Sequence, residues 1–324
     1  MKVKTTFLSL LLAVLLALTA CGQTAPPTAA ETTTTAPAPT AAATTAAPSV
    51  IDMAGRKVEL AAPAERVVAV MPSDVEIIYA LGAGEVLVGR GEYADYPAEV
   101  SDVTAVASGG ELNAEQIIAL EPDLVLLTTM AQSVEQLELI EKAGIKVAVS
   151  NAQDIAGVYE AIGLIGRLLG KTEAADALTA DMKARFENVR ARAAARPDET
   201  TATVYFEVSP LEFGLWTAGG HTFMDEIVRL AGGENAFADV EGWAEISEEQ
   251  VIERDPAAIV TVAMYFGEGP KPDEEIAARK GWADLQAVRN KRIFLADADE
   301  FSRPGPRLAD GAEALFAFLY PDAP

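Results

Sequence analysis

One short segment occurs twice in this 324-residue chain, and the repetition constrains the fold more than any other feature. Residues 112–122 read LNAEQIIALEP, and residues 246–256, 134 positions later, read ISEEQVIERDP. Each copy continues into an apolar run and then, at matching positions, into Met130 and Met264. Duplication of one structural unit explains this most simply, so the sequence predicts two lobes of the same design.

Each copy has the pattern of a short helix that leads into a buried strand. Asn113 and Ser247 suit the N-cap position, and the glutamine three residues later completes a capping box in both copies. Glu115 and Glu249 then fall in the first turn, where the helix dipole favours a carboxylate. Either acid alone would be interpreted as a surface residue that merely complements the dipole. Because the two acids occupy the same position in both copies, the pair indicates that the protein contacts a partner at two points.

The first 21 residues have the pattern of a bacterial lipoprotein signal. Lys2 and Lys4 precede an apolar stretch that is too short to span a membrane stably. The stretch ends LTAC, which resembles a lipobox, so we expect Cys21 to carry a lipid. A plain signal peptide with an incidental cysteine is the alternative. Because Cys21 is the only cysteine, a disulfide within the chain and a cysteine-rich metal site are excluded.

The next segment, residues 22–49, has the composition of a disordered tether. It contains nine Thr, ten Ala and five Pro, with Glu31 as its one charge, and offers no apolar periodicity that could be buried. The predicted folded part is residues 50–324. The formal net charge of the chain is −24; such a chain would repel nucleic acid and anionic lipid, so neither is expected as a partner. Such an acidic surface suits basic groups of another protein.

Strand and helix patterns alternate on both sides of a helical region. We expect an α/β fold with two Rossmann-like lobes that contain parallel sheets, residues 50–153 and 198–324. The connector between them, residues 154–197, begins with a helix capped by Asp154. A second helix, capped by Thr172, continues for about 36 Å and would join the lobes stiffly.

Six segments, taken in order, resemble one family. They are PSDVE at 72–76, YADYP at 93–97, residues 112–123, TAGGHTF at 217–223, GGEN at 232–235 and SRPGPR at 302–307. The chain resembles the helical-backbone (class III) substrate-binding proteins of ABC importers for iron-siderophore, haem and corrinoid complexes, and the resemblance covers residues 50–324. It implies an extracytoplasmic, lipid-anchored monomer that binds a metal chelate, with no catalytic residue, metal site or resident cofactor of its own.

In that family a glutamate on each lobe forms salt bridges with arginines of the membrane permease. The matching positions are Glu115 and Glu249, the pair that the repeat indicates independently.

Ligands of open α/β sheets bind beyond the carboxyl ends of the strands. Candidate ligand contacts at such positions are Met130, Trp216, Trp243, Met264 and Tyr265. The resemblance adds Tyr93 and Arg303, which match family positions that face the ligand. Aromatic rings suit the flat faces of a chelate, and an arginine suits a carboxylate or phosphate edge.

Several of these residues have an alternative role. The two methionines could fill the core, and Trp243 could pack beneath the second glutamate helix. Arg303 could neutralise the acidic run at 297–300, while Arg307 is interpreted as structural. His221 could be an axial haem ligand, although a surface position at the start of a helix suits it better.

Other classes of function fit less well. A receptor for free zinc or manganese needs several histidines, and the chain has one. An enzyme lacks support, because the sequence has no nucleophile elbow and no recognisable partner for His221. A purely structural lipoprotein would not need two matched acids. Among ligands we place a bulky iron(III)-siderophore chelate first. Gly109 and Gly110 stand where corrinoid binders of the family often carry a tryptophan, so a corrinoid or haem is second.

Overall fold

The computed structural model describes residues 47–108, 112–128, 134–196, 201–263, 265, 267 and 269–323. All of them belong to one structural unit, Thr44–Pro324. Cys21 and the predicted signal therefore lie outside the described residues.

The described chain alternates between strands and helices. The strands are β1 (Ser49–Ile51), β2 (Lys57–Glu59), β3 (Val67–Ala69), β4 (Leu87–Gly91), β5 (Ala105–Val106), β6 (Leu124–Leu127), β7 (Lys146–Val149), β8 (Thr203–Glu207), β9 (Leu215–Ala218), β10 (Glu234–Asn235), β11 (Trp243–Ile246), β12 (Ala258–Thr261) and β13 (Ile293–Leu295). The α-helices are α1 (Pro72–Ala80), α2 (Ala114–Ala119), α3 (Val134–Lys142), α4 (Ile155–Leu168), α5 (Thr172–Ala194), α6 (Phe223–Leu230), α7 (Glu248–Arg254), α8 (Pro272–Ala278), α9 (Gln286–Arg289), α10 (Ala298–Ser302) and α11 (Leu308–Leu319).

Two parallel sheets form the framework, and we call each sheet with its helices a lobe. The N-terminal sheet has the order β5-β4-β3-β6-β7, and the C-terminal sheet has the order β10-β8-β12-β13. Strands β6 and β12 are inner strands that are buried along their whole length, which accounts for their continuous apolar sequences. The predicted α/β class with parallel sheets is confirmed. An antiparallel pair, β9 with β11, was not predicted.

The sequence repeat is also a repeat of backbone structure. In both copies a residue with positive φ follows the short helix, Glu121 at +48° and Asp255 at +41°. A proline follows, and the inner strand begins two residues after it. Asn113 caps α2 by accepting a hydrogen bond of 3.0 Å from the Gln116 amide. The two-lobe design predicted from the sequence is therefore repeated down to the turn that links helix to strand.

The capping box forms only in the second copy. Ser247 accepts from the Gln250 amide at 3.3 Å, and the Gln250 side chain accepts from the Ser247 amide at 2.9 Å. In the first copy the Gln116 side chain accepts instead from the Ala107 amide, at 3.2 Å. The prediction of two boxes is therefore wrong for the first copy, because a neighbouring loop supplies a competing donor.

The connector consists of two packed helices. Asp154 caps α4 by accepting from the Gly157 amide at 2.7 Å, as predicted. Helix α5 begins at Thr172 itself and its N-cap residue is Lys171, so the predicted cap at Thr172 is wrong. Met182, Phe186 and Val189 form a buried stripe on α5, which packs against α4, α6 and α11.

Ser49, at the end of the predicted tether, lies in β1. The exact lobe boundaries after residues 153 and 197 stay predictions. Within the described ranges, no helix combines the length and apolar character needed to cross a membrane.

Candidate functional site

A cavity of about 300 Å³ lies between the two lobes, at the carboxyl ends of their strands. We call it the interlobe cavity. Its N-terminal wall consists of residues that follow β3, β6 and β7, including the start of α1. Its C-terminal wall consists of residues that follow β8, of residues in α6 and β11, and of residues at and just after the end of α10. The lining residues are Met71, Ser73, Thr128, Ser150, Asn151, Ala152, Gln153, Val208, Phe223, Met224, Trp243, Ser302 and Pro304. This is the position where open α/β sheets bind ligands.

The two walls differ in chemistry. The N-terminal wall carries hydroxyl and amide groups, and the Thr128 hydroxyl donates to Oδ1 of Asn151 at 3.0 Å. The C-terminal wall is mainly apolar, with the rings of Phe223 and Trp243 at a centroid distance of 5.3 Å. None of the described lining residues is charged. The cavity therefore suits a ligand with a polar edge, an apolar face and little net charge.

Two hydrogen bonds join the lobes beside this cavity. The Phe223 amide donates to the Gln153 carbonyl at 3.0 Å, and the Ile155 amide donates to Oε2 of Glu226 at 2.7 Å. Helix α6 is therefore fastened to the start of α4. This contact places Phe223 opposite the polar wall.

An ionic cluster joins the lobes through the segment after α10. Nη1 of Arg303 lies 2.9 Å from Oε1 of Glu76 in α1 and 2.8 Å from Oδ1 of Asp95. Its Nη2 lies 2.8 Å from Oδ1 of Asp299. Arg307 holds the same Glu76 with Nε at 2.9 Å and Nη2 at 2.7 Å. The guanidinium of Arg303, proposed as a ligand contact, is thus occupied by three carboxylates.

Burial lowers the pKa of Arg303, but the hydrogen bonds to Glu76 and Asp95 outweigh it, so this pKa lies above its usual value. The cluster includes Asp299, which belongs to the acidic run 297–300 that Arg303 could neutralise. Its central acid, Glu76, comes from the N-terminal lobe.

Four exposed aromatic residues lie on the same side of the sheets as the cavity. Tyr93 and Tyr96 follow β4, Phe213 follows β8 and Tyr265 follows β12. Their exposed fractions range from 44% for Tyr265 to 69% for Phe213. We call these four residues the strand-end aromatics.

The predicted ligand contacts are therefore only partly brought together. Trp243 lines the interlobe cavity, whereas Tyr93, Trp216, Tyr265 and Arg303 are not among its described lining residues. Met130 and Met264 lie outside the described residues. The ligand-binding roles of all these residues, Trp243 included, stay predictions, because no contact in the described structure tests them.

The polar wall was not predicted from the sequence. Thr128 ends the segment predicted as the first inner strand, and residues 150–153 follow the strand predicted at 145–149. Position after a strand was the available signal. It was applied to large side chains and not to the small polar ones.

Glu115 and Glu249 are both exposed. Hydrogen bonds from the backbone amide of Glu249 and from the Ser247 hydroxyl lower the pKa of Glu249, so this side chain is anionic at neutral pH. His221 is also exposed, and its Nε2 lies 3.8 Å from a carboxylate oxygen of Glu241. Within the described ranges, no three His, Cys, Asp or Glu side chains are grouped so that they could hold a metal ion.

Asp74 and Glu207 are buried acids whose pKa values are raised. Asp74 follows Ser73 in α1, and burial raises the pKa of its carboxyl group to about 7 against the opposing effect of the Ser150 hydroxyl. Glu207 ends β8 and forms a bidentate pair with Arg279 at 2.8 and 3.0 Å. Burial raises the pKa of Glu207, and the contact with Arg279 opposes the change. In sequence, Asp74 and Glu207 are neighbours of the lining residues Ser73 and Val208.

Comparison with known proteins places this geometry in context. The sequence profile of the family described as "Periplasmic binding protein" matches residues 67–300. An uncharacterized ABC transporter substrate-binding lipoprotein of Bacillus subtilis strain 168 is 34% identical over 277 residues, which cover 85% of this chain and 86% of the relative. A vitamin B12-binding protein of Yersinia pestis strain Pestoides F is 33% identical over 253 residues, covering 78% and 85%.

Among solved structures, one described as an ABC-type Fe3+-hydroxamate transport system from Saccharomonospora viridis aligns with a TM-score of 0.68. It is 26% identical, and the alignment covers 84% of this chain and 98% of that chain.

Proposed function

This chain belongs to the periplasmic binding protein family, and from that premise we propose that it captures a bulky metal chelate of the iron(III)-siderophore type. It is a substrate-binding protein of an ABC importer, and its relatives are solute-binding transport proteins and not enzymes. Members of the family are extracytoplasmic and act with an ABC permease. The identity of the chelate is the part that is proposed.

The observation that carries the proposal is the interlobe cavity between a polar wall and an aromatic wall, since its described lining residues carry no charge. An anion buried there without a cationic partner would lose several kcal/mol of hydration free energy. Arg303 does not supply that partner, since its guanidinium already contacts Glu76, Asp95 and Asp299. A ferric hydroxamate complex of low net charge suits such a site better than an anionic catecholate. The Saccharomonospora structure described as part of an Fe3+-hydroxamate transport system supports this choice.

The interlobe cavity would hold only part of a bulky ligand. The interlobe cavity, at about 300 Å³, is at the lower end of the range of about 300–1,000 Å³ for small-molecule pockets. The strand-end aromatics provide further apolar area on the same side of the sheets. A chelate larger than the cavity would rest one face on these rings.

A corrinoid, or less directly haem, is the second candidate. The observation that favours a corrinoid is the 33% identity with a protein described as vitamin B12-binding. The same aromatic surface would accept a flat macrocycle. Neither candidate requires a resident cofactor.

For the permease contact we propose Glu115 and Glu249. Both carboxylates are exposed at the start of equivalent helices, and arginine forks of a membrane partner would bind them with paired hydrogen bonds. A lipid on Cys21, followed by the tether at 22–49, would keep a monomeric receptor near the permease and raise its local concentration. The Bacillus relative described as a lipoprotein supports this anchor.

The ligand is tested by tryptophan fluorescence with four probes: ferrichrome as a neutral ferric hydroxamate, ferric enterobactin as an anionic catecholate, cyanocobalamin and haemin. We expect ferrichrome to quench the emission at low micromolar concentration and the catecholate to bind at least tenfold more weakly. Trp243→Phe should remove most of the quenching, whereas Trp216→Phe, outside the cavity, should retain it. Tightest binding by the catecholate would refute the charge argument, and tightest binding by cyanocobalamin or haemin would select the second candidate.

Docking is tested by uptake. The double variant Glu115→Ala and Glu249→Ala should abolish transport while ligand affinity stays unchanged. The matched control is Glu121→Ala with Glu253→Ala, which removes the same charge from exposed positions at the other ends of the same segments. Wild-type uptake by the first variant, or equal losses in both, would show that the pair does not form the contact.

A further inference from the structure

Arg303 occupies a position where a ligand contact is expected, yet its side chain faces carboxylates. The cluster that it forms with Glu76 and Arg307 is nearly dry: the exposed fractions of these three side chains are 13%, 2% and 14%. Charge-assisted hydrogen bonds are strong in such an environment. Glu76 accepts three of them and is the point at which the two arginines of the C-terminal lobe meet the N-terminal lobe.

The cluster also holds the loop at 93–97, which carries two strand-end aromatics. Nη2 of Arg303 donates to the Tyr93 carbonyl at 3.2 Å, and Nη1 binds Asp95 at 2.8 Å. The guanidinium carbon of Arg307 lies 4.2 Å from the ring centre of Tyr96, a cation–π distance. The backbone at the start of the loop and the ring near its end are both fixed by residues of the opposite lobe.

The same residues adjoin the interlobe cavity. Ser302 and Pro304, on either side of Arg303, line the cavity, and so does Ser73, which lies one turn before Glu76 on α1. A ligand seated in the cavity would therefore touch the segments that carry the cluster from both lobes. The position of the Tyr93 loop is coupled through the cluster to both walls.

We propose that Glu76, Arg303 and Arg307 are positioning residues that fix the loop at 93–97 so that Tyr93 presents its ring to the ligand. Arg303 acts through this loop and makes no contact with the ligand. The identity of the ligand in this inference rests on the proposed function. The position of the loop in the ligand-free protein does not.

The first test uses the ligand-free protein and amide hydrogen exchange. Arg303→Gln should raise the exchange rate of the Ala94 amide, which donates to the Gly91 carbonyl, by at least about tenfold, because the contacts of Arg303 with Asp95 and with the Tyr93 carbonyl are lost. Arg303→Lys, which keeps the charge, should restore part of the protection. Arg185→Gln is the matched control. Arg185 is likewise paired with carboxylates, Asp310 and Glu313, but neither belongs to the loop at 93–97 or to the N-terminal lobe. Unchanged exchange at 93–97 in Arg303→Gln would overturn the proposal, whatever the ligand.

The second test is a double-mutant cycle, with ferrichrome and cyanocobalamin as separate probes. Arg303→Gln should weaken binding about tenfold in the wild-type background and have little effect in a Tyr93→Ala background, because non-additivity marks residues that act as a unit. Combined with Trp243→Ala, which changes the cavity wall, the same substitution should act additively. A full effect in the Tyr93→Ala background would show direct ligand contact by Arg303 and refute the positioning role. If neither probe binds, the proposed function fails while the exchange experiment still decides the inference.

Discussion

Replacement of Asp74 by asparagine should stabilise the protein at about pH 8 by about 3 kcal/mol. Asp74 is 1% exposed, and no described hydrogen-bond donor reaches its Oδ2 atom. Burial raises the pKa of this carboxyl group from 3.8 to about 7. The native structure therefore disfavours the charged form, and an isosteric neutral side chain avoids that cost.

The sign and size follow from the two pKa values. The stability that protonated Asp74 contributes is complete below the unfolded value of 3.8, declines as the pH rises, and is lost above about 7. A shift of about three pKa units corresponds to about 4 kcal/mol. Asparagine brings amide hydrogens that lack an acceptor, at a cost of about 1 kcal/mol, which leaves a net gain of about 3 kcal/mol.

The assay is urea unfolding, followed by tryptophan fluorescence, at several values between about pH 5 and about pH 8. The advantage of Asp74→Asn should grow across this range. Asp52→Asn is the control, because Asp52 is also buried but accepts hydrogen bonds from the Arg56 side chain and the backbone amides of Ala54, Arg56 and Val149. That variant should destabilise the protein. A destabilising or pH-independent effect of Asp74→Asn would refute the reasoning.

Three further substitutions test separate parts of the structure by urea unfolding. Glu207→Ala should cost about 3–5 kcal/mol, because it takes a carboxylate from the buried Arg279; a loss no larger than that of Glu207→Gln would argue against a paired charge. Gly219→Ala should cost about 1–3 kcal/mol, since a Cβ atom there would lie 2.1 Å from the Val240 carbonyl oxygen; a neutral result would mean that this backbone contact is loose. Ser247→Ala should cost about 1 kcal/mol through loss of the helix cap, and an unchanged unfolding midpoint would show that the capping box contributes nothing.

Much of the architecture could be predicted because it rests on local patterns. The repeat placed the inner strands β6 and β12 at their observed positions, since continuous apolar runs bounded by prolines leave few alternatives. The positive φ values of Glu121 and Asp255 then follow from the same turn in both lobes. The two-stranded pair β9 and β11 escaped prediction, because its half-exposed sequence lacks a clear apolar alternation.

The candidate site was harder to predict because its contacts are distant in sequence. Arg303 could be recognised as a functional position, but its partner Glu76 lies 227 residues away. No spacing rule connects two such residues. The position of the cavity could be predicted because ligands of open α/β sheets bind beyond the carboxyl ends of the strands. Its lining residues could not, because they depend on the direction of each side chain, which for Ser150 and Asn151 only the folded structure supplies.

Equilibrium dialysis with a metal-loaded and a metal-free ligand tests the central claim most directly. Metal binding folds a flexible siderophore into one compact shape, so the loaded form loses less conformational entropy when it binds. We predict that the protein retains one ferrichrome per molecule and at least tenfold less of the iron-free compound, and that Trp243→Ala weakens this retention. Equal retention of both forms, or retention of neither ferrichrome nor cyanocobalamin, would contradict the assignment of the interlobe cavity to a metal chelate.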